Sequence, residues 1–246
     1  MNRLDLTLYL GGTRSGKSLR AETQAKQTNG PVLYVATATL QPDDPAMLER
    51  IRKHRARRPS TWQTLECPLH LADALTPFLL PEFAGATENA LQAEISTKRT
   101  DESCSAEQIP VSGNHSASRQ QVAGRSQKVS EYLPDCTPTV LLDCVTHWIS
   151  NILFNLPDPE DLPALETAVQ AEVNALISLM TRSNWCWILV SGETGLGGIA
   201  PDPISRNFAD ALGLANQLLA AHARQVFLVV AGRLLRLGEE ASVPIR

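Results

Sequence analysis

Three groups of residues in this chain have the types and spacing that phosphate chemistry needs. Gly11, Gly12, Thr13, Arg14, Ser15, Gly16, Lys17 and Ser18 match G-x-x-x-x-G-K-[ST] at every fixed position. That spacing predicts a phosphate cradle: glycines let backbone N–H groups curl around phosphate oxygens, Lys17 neutralises the β/γ charge, and Ser18 offers a hydroxyl to Mg²⁺ at a helix N-terminus. Asp143 closes the apolar run "TVLLDC" and is the carboxylate such a site wants in the metal's shell; its other reading is a cap after a strand. The third group is "ERIRKHRARRP", Glu49 to Pro59, where His54 stands among Arg50, Arg52, Lys53, Arg55, Arg57 and Arg58. On a helix Met47 and Ile51 would face the core, and Arg50, His54 and Arg57 would share a stripe beside them. Those cations would serve a triphosphate and would keep the imidazole neutral and nucleophilic. The residues alone leave open a solvated basic helix whose histidine does nothing.

These groups need elements that bring them together. Leu4, Leu6, Leu8 and Leu10 alternate with polar residues, the period-2 pattern of a strand, so the glycines fall on a strand-to-helix turn. Four further apolar runs predict strands over Pro31–Thr37, Thr139–Cys144, Trp185–Ser191 and Gln225–Gly232. Helix-like segments over Asp44–Arg57, Pro163–Thr181 and Ile204–Arg224 separate them. Strands that are nearly unbroken in apolar character belong in a sheet covered on both faces, so the chain predicts a single α/β domain around a mostly parallel sheet. "SGETGLGGIAP", Ser191 to Pro201, then becomes a loop at the carboxyl edge, where ligands bind in such sheets.

Residues 81–138 break the pattern, turning to Ser, Gln, Glu, Asn and Lys with no steady period. They predict a polar, disordered surface insertion, either inert or a partner-binding segment. The formal net charge of −4 gives no general field for nucleic acid. His70, His115, His147 and His222 are scattered, and the five cysteines have no C-x-x-C spacing, so no zinc site is readable. With no apolar run long enough to span a bilayer and no secretory signal, a reducing, cytoplasmic setting with free thiols is expected.

The ordered blocks "GGTRSGKS", "VLYVATA", "RIRKHRARRPSTWQTLE", "LLDCVTHWISNILF", "SGETGLG" and "ANQLLAAHARQVFLVVAG" closely resemble the bifunctional adenosylcobinamide kinase / adenosylcobinamide-phosphate guanylyltransferase family of cobalamin biosynthesis. The R-I-x-x-H-x-x-x-R-P-x-x-W block is the specific part. The resemblance covers nearly the whole chain outside the insertion and implies a RecA-like P-loop fold assembled as a homotrimer. It implies phosphorylation of adenosylcobinamide with ATP or GTP as donor, then GMP transfer from GTP to adenosylcobinamide phosphate. By this resemblance His54 is the GMP-accepting nucleophile, with Lys17 acting on the phosphates. Arg55, Ala56, Arg57, Arg58 and Glu66 fall where the family contacts guanine nucleotide, Ala36, Thr37 and Ala38 lie beside it, and Ser18 and Asp143 would hold Mg²⁺. The chain departs from the family pattern at Gly192, where asparagine is usual, at "GGIAPDP", where I-V-P-E-N-P is usual, and at Lys53, where some members carry histidine.

Two rivals remain at this level. One is a plain P-loop kinase in which His54 only binds phosphate. The other is a RecA-like motor or nucleic-acid module, which would want a basic face that this acidic chain lacks.

Overall fold

Residues 4–38, 45–80 and 137–238 are described by the computed structural model. The expected insertion over 81–138 lies outside them apart from Thr137 and Pro138, as do the side chains of Met47 and Arg50.

Seven strands form one sheet in the order β3-β2-β4-β5-β1-β6-β7. They are β1 (Leu4–Gly11), β2 (Val32–Ala36), β3 (Gln63–Glu66), β4 (Thr139–Asp143), β5 (Cys186–Gly192), β6 (Ala223–Val230) and β7 (Arg233–Leu237). All pairs are parallel except β6 with β7. The helices are α1 (Lys17–Lys26), α2 (Pro45–Arg57), α3 (Leu71–Leu79), α4 (Val145–Asn155), α5 (Leu162–Arg182) and α6 (Pro203–His222). The mostly parallel sheet, covered on both faces, agrees with the RecA-like P-loop arrangement that the sequence implies.

Strand alternation divides the core. Leu6, Leu8, Leu33, Val35, Val140, Leu142, Trp187 and Leu189 pack with Leu71 and Leu75 of α3, Trp148 of α4, Val169 of α5 and Leu212 of α6. On the other face Tyr9, Tyr34, Leu141, Ile188 and Val190 pack with Ala21 and Ala25 of α1. Two small residues on α1 let that helix lie close to the sheet, and its N-terminus is thereby fixed at the end of β1. Asp161 and Asp202 cap α5 and α6 by accepting from Ala164 N at 3.0 Å and Ser205 N at 2.8 Å, with Pro163 and Pro203 in the first turns.

Helix α6 stops at His222, two residues before the expected end, because Ala223 and Arg224 already belong to β6. The expected strand over Gln225–Gly232 ends at Val230, and Ala231 and Gly232 form the hairpin turn, with φ of 49° and 74°. Positive φ at both turn positions matches the twist of a tight two-residue hairpin. Cys67, Cys144 and Cys186 are free, and among the described residues no helix is long and apolar enough to cross a membrane.

Candidate active site

The site lies where the carboxyl ends of β1, β2 and β4 meet α1 and α2. Register sets the level: Ala36 pairs with Asp143 on one side and with Glu66 on the other. Gly11 ends β1 with φ 154°, Arg14 takes φ 58°, and Gly16, at φ 98°, leads into α1. A Cβ on Gly11 would stand 2.5 Å from the Val229 carbonyl oxygen and 2.8 Å from Ser15 Oγ. Gly11→Ala is therefore expected to destabilise the chain by about 1–3 kcal/mol and to weaken ATP binding. Urea unfolding and a nucleotide titration check this; unchanged values for both would show that the loop relaxes freely.

The loop is braced from two sides. Glu193 N–H donates to the Gly11 carbonyl at 3.1 Å, and Gly232 N–H donates to the Ser15 carbonyl at 2.8 Å. Arg20 donates back to the Gly232 carbonyl at 2.7 Å, so the β6–β7 turn clamps the loop. Within it, Lys17 Nζ donates to the Gly12 carbonyl at 3.1 Å. Gly12, Thr13 and Arg14 are exposed. The buried Ser15 hydroxyl has no partner among the described residues. These are the features of a preformed anion cradle opening on a helix N-terminus.

Asp143 joins the cradle to α2. Its Oδ1 accepts from Ser18 Oγ at 3.2 Å and its Oδ2 accepts from Tyr34 OH at 2.7 Å. His54 Nδ1 lies 3.4 Å from the same Oδ2. Burial pushes the Asp143 carboxyl up, but hydrogen bonds from His54, Tyr34 and Ser18 outweigh it and hold the group below the usual carboxylate range. Burial and the neighbouring carboxylate push the Tyr34 phenol far up, so it remains a proton donor. Asp143 thus faces the hydroxyl of the cradle, and the N-cap position of α4 is held by Cys144.

The surroundings of His54 correct the expectation of an imidazole among cations. The charged groups facing its Nδ1 are the carboxylates of Asp143 and of Glu22, whose Oε1 is 3.6 Å away. Among the described cations, Arg52 and Lys53 pair with Glu49, Arg55 with Glu66, and Arg57 with the same Glu22 oxygen that faces His54. Arg58 lays its guanidinium 3.4 Å from the Tyr34 ring centroid. Ala56 is exposed on the same helix. The helix is tied to α1 by Lys26 Nζ, which donates to the Arg57 carbonyl at 3.1 Å.

Sequence reasoning missed Glu22, although a signal was present. Ser18, Ala21, Glu22 and Ala25 recur at i, i+3, i+4 and i+7, so a carboxylate interrupts the small-residue stripe that packs on the sheet. It missed Tyr34 because a tyrosine inside an apolar run reads as core. The buried Thr37 hydroxyl is bonded to the backbone: it donates to the Cys144 carbonyl at 2.7 Å and accepts from Cys144 N at 3.0 Å. It pins the turn after Asp143, between the half-buried Ala36 and Ala38. At the unusual Gly192, a Cβ would meet Thr146 Oγ1 at 2.8 Å, an atom that accepts the Gly192 N–H at 2.6 Å.

Fold and site together define a P-loop nucleotide-binding α/β protein with a histidine docked beside the cradle. Residues 7–109 and 106–237 match the family described as Cobinamide kinase / cobinamide phosphate guanyltransferase, and the chain belongs to that family. It is therefore an enzyme of cobalamin biosynthesis of the phosphotransferase and nucleotidyltransferase classes. It is 31% identical over 233 residues to the bifunctional adenosylcobalamin biosynthesis protein CobU of Salmonella typhimurium, covering 92% of this chain and 96% of that one. It is 30% identical over 232 residues to the CobU of Escherichia coli, with coverage of 92% and 96%. The CobP of Pseudomonas aeruginosa, also named a bifunctional adenosylcobalamin biosynthesis protein, is 33% identical over 225 residues, with 92% of each chain covered.

Proposed function

We propose that this enzyme phosphorylates adenosylcobinamide with ATP or GTP and then guanylylates the product from GTP, with His54 as the guanylyl acceptor. The observation that carries the reading is the position of one carboxylate: Asp143 faces Ser18 of the cradle and His54 of α2 at once. A nucleoside triphosphate in the cradle thus has the phosphoryl-transfer machinery and the candidate nucleophile on neighbouring sides.

For the kinase step the P-loop N–H groups and Lys17 hold the β- and γ-phosphates and offset the charge spread over the transferring phosphoryl. Ser18 and Asp143 present a hydroxyl and a carboxylate oxygen 3.2 Å apart, the hard oxygen donors that Mg²⁺ prefers, and these two residues would hold it. When bound, the cation supplies further neutralisation of phosphate charge. For the guanylyl step the His54 ring attacks the α-phosphorus of GTP, the bond to the β-phosphate oxygen breaks, and pyrophosphate leaves. The phosphate of adenosylcobinamide phosphate then attacks the same phosphorus and frees the histidine. By the family resemblance Arg55, Ala56, Arg57, Arg58 and Glu66 would supply the nucleotide's further contacts; Arg55 and Glu66 are paired with each other.

The test is incubation of the pure enzyme with α-labelled GTP and Mg²⁺. Protein-bound label that is lost in acid, kept in base and discharged by adenosylcobinamide phosphate is expected. No retained label would leave a plain P-loop kinase.

The reading includes a single domain, a cytoplasmic setting and, by family resemblance, a trimer. In favour of an interface are Val230, Leu234, Leu235 and Leu237, all exposed on the β6–β7 hairpin. Light scattering behind size exclusion tests the trimer.

A further inference from the structure

Glu22 has no assigned role, yet its placement is costly. Its side chain is 1% exposed, Oε2 has no hydrogen-bond partner among the described residues, and Oε1 is shared between Arg57 at 3.2 Å and His54 Nδ1 at 3.6 Å. A buried carboxylate with an unused oxygen destabilises a fold unless it serves something else. The ligand atoms of Glu22, His54 and Asp143 all lie within 4.8 Å of one another, so two carboxylates converge on one ring nitrogen.

We infer that Glu22 is a positioning residue for guanylyl transfer, which, with Asp143, keeps the His54 proton on Nδ1 and the lone pair on Nε2. The inference rests on His54 being the guanylyl acceptor and assigns what makes the ring competent. A neutral imidazole has one protonated nitrogen, and the partner of that nitrogen decides which one it is. Here both carboxylates lie on the Nδ1 side, at 3.4 and 3.6 Å, a charge arrangement that favours the proton on Nδ1 and leaves Nε2 as the nucleophile.

The balance of the two steps follows. Nε2 donates its pair to the α-phosphorus as the bond to the β-phosphate oxygen breaks, and pyrophosphate takes that bonding pair. The ring now carries phosphorus on Nε2 and the proton on Nδ1, and is therefore cationic. Glu22 and Asp143 stabilise that charge where it develops. In the second step a phosphate oxygen of the acceptor bonds to the phosphorus, and the N–P pair returns to Nε2. The leaving group is neutral imidazole because Nδ1 kept its proton throughout. Loss of that proton would force departure of imidazolate, a far poorer leaving group. Arg57 holds Glu22 Oε1 in place from the other side.

The experiment compares wild type with Glu22→Gln, which keeps the shape and removes the charge. Single-turnover charging with α-labelled GTP and discharge by adenosylcobinamide phosphate are both expected to slow on the order of 10- to 100-fold, with Asp143 retaining part of the effect. The loss should fall on the rate at saturating GTP rather than on the GTP concentration for half-saturation. Circular dichroism and an ATP titration check that the variant is folded. In ¹⁵N-histidine spectra of the wild-type enzyme, with His54 assigned by its loss in His54→Ala, the Nδ1–H tautomer is expected. Charging of Glu22→Gln at the wild-type rate, or an Nε2–H tautomer in the wild type, would overturn the inference. Absence of any adduct in the wild type would instead overturn the function on which it rests, and the two failures are thus separable. An Nε2–H tautomer in the wild type overturns the inference even if Glu22→Gln does not fold.

Discussion

His54→Ala is expected to abolish retention of label from α-labelled GTP and to stop GMP transfer to adenosylcobinamide phosphate. ATP-dependent phosphorylation of adenosylcobinamide should continue at a reduced rate. The asymmetry follows from bonding. Only the guanylyl reaction requires the ring to bond to phosphorus, and alanine offers no substitute nucleophile. In the kinase step the ring stands beside Asp143 at 3.4 Å without entering the chemistry. Its removal takes away one of three hydrogen-bonding neighbours of that carboxylate, while Ser18 and Tyr34 remain. The linkage itself identifies the atom, since a phosphoramidate on imidazole is labile in acid and stable in base. Label retained equally by the alanine variant would move the acceptor elsewhere. Loss of both activities together would show that α2 docking, rather than a nucleophile, is what His54 supplies.

How much of this was legible beforehand depended on whether a residue's role shows in local pattern. The cradle was readable because its chemistry is contiguous: eight successive residues after an alternating strand fix both the loop and the helix that receives it. Asp143 was readable because it follows four residues that favour a buried strand. Strands β3 and β7 were not, and the reason is physical. Both are short edge strands, largely exposed over Gln63–Glu66 and wholly exposed over Arg233–Leu237, so neither alternates buried with exposed positions and neither leaves a periodic trace. The electrostatics of His54 failed for a different reason. Six cations close in sequence suggested a basic pocket, but Arg55 and Arg57 turn to carboxylates contributed by distant segments, Glu66 from β3 and Glu22 from α1, and Arg52 and Lys53 turn to Glu49 of their own helix. Those partners are set by which elements cross, and only the sheet order brings α1 and α2 together.

Lys17→Ala is expected to lower the rate of adenosylcobinamide phosphorylation by about 100-fold or more, the scale of removing one transition-state electrostatic contact from a preorganised site. The ammonium sits within the loop itself, donating to the Gly12 carbonyl at 3.1 Å, and no second lysine lies in the cradle sequence to take its place. Arg14 and Arg20 are the nearest cations along the chain; Arg20 is held by the Gly232 carbonyl and Arg14 is exposed. Charging with GTP should fall as well, because pyrophosphate must depart with the charge that Lys17 offsets at the β- and γ-phosphates. If one cradle serves both reactions, the two losses appear together and neither is restored by saturating nucleotide, since the missing interaction grows as the transition state forms. A loss cured by raising nucleotide concentration would make Lys17 a ground-state binding group only. Kinase loss with undiminished His54 charging would place GTP for guanylyl transfer outside the cradle, and the shared position of Asp143 would then no longer link the two reactions.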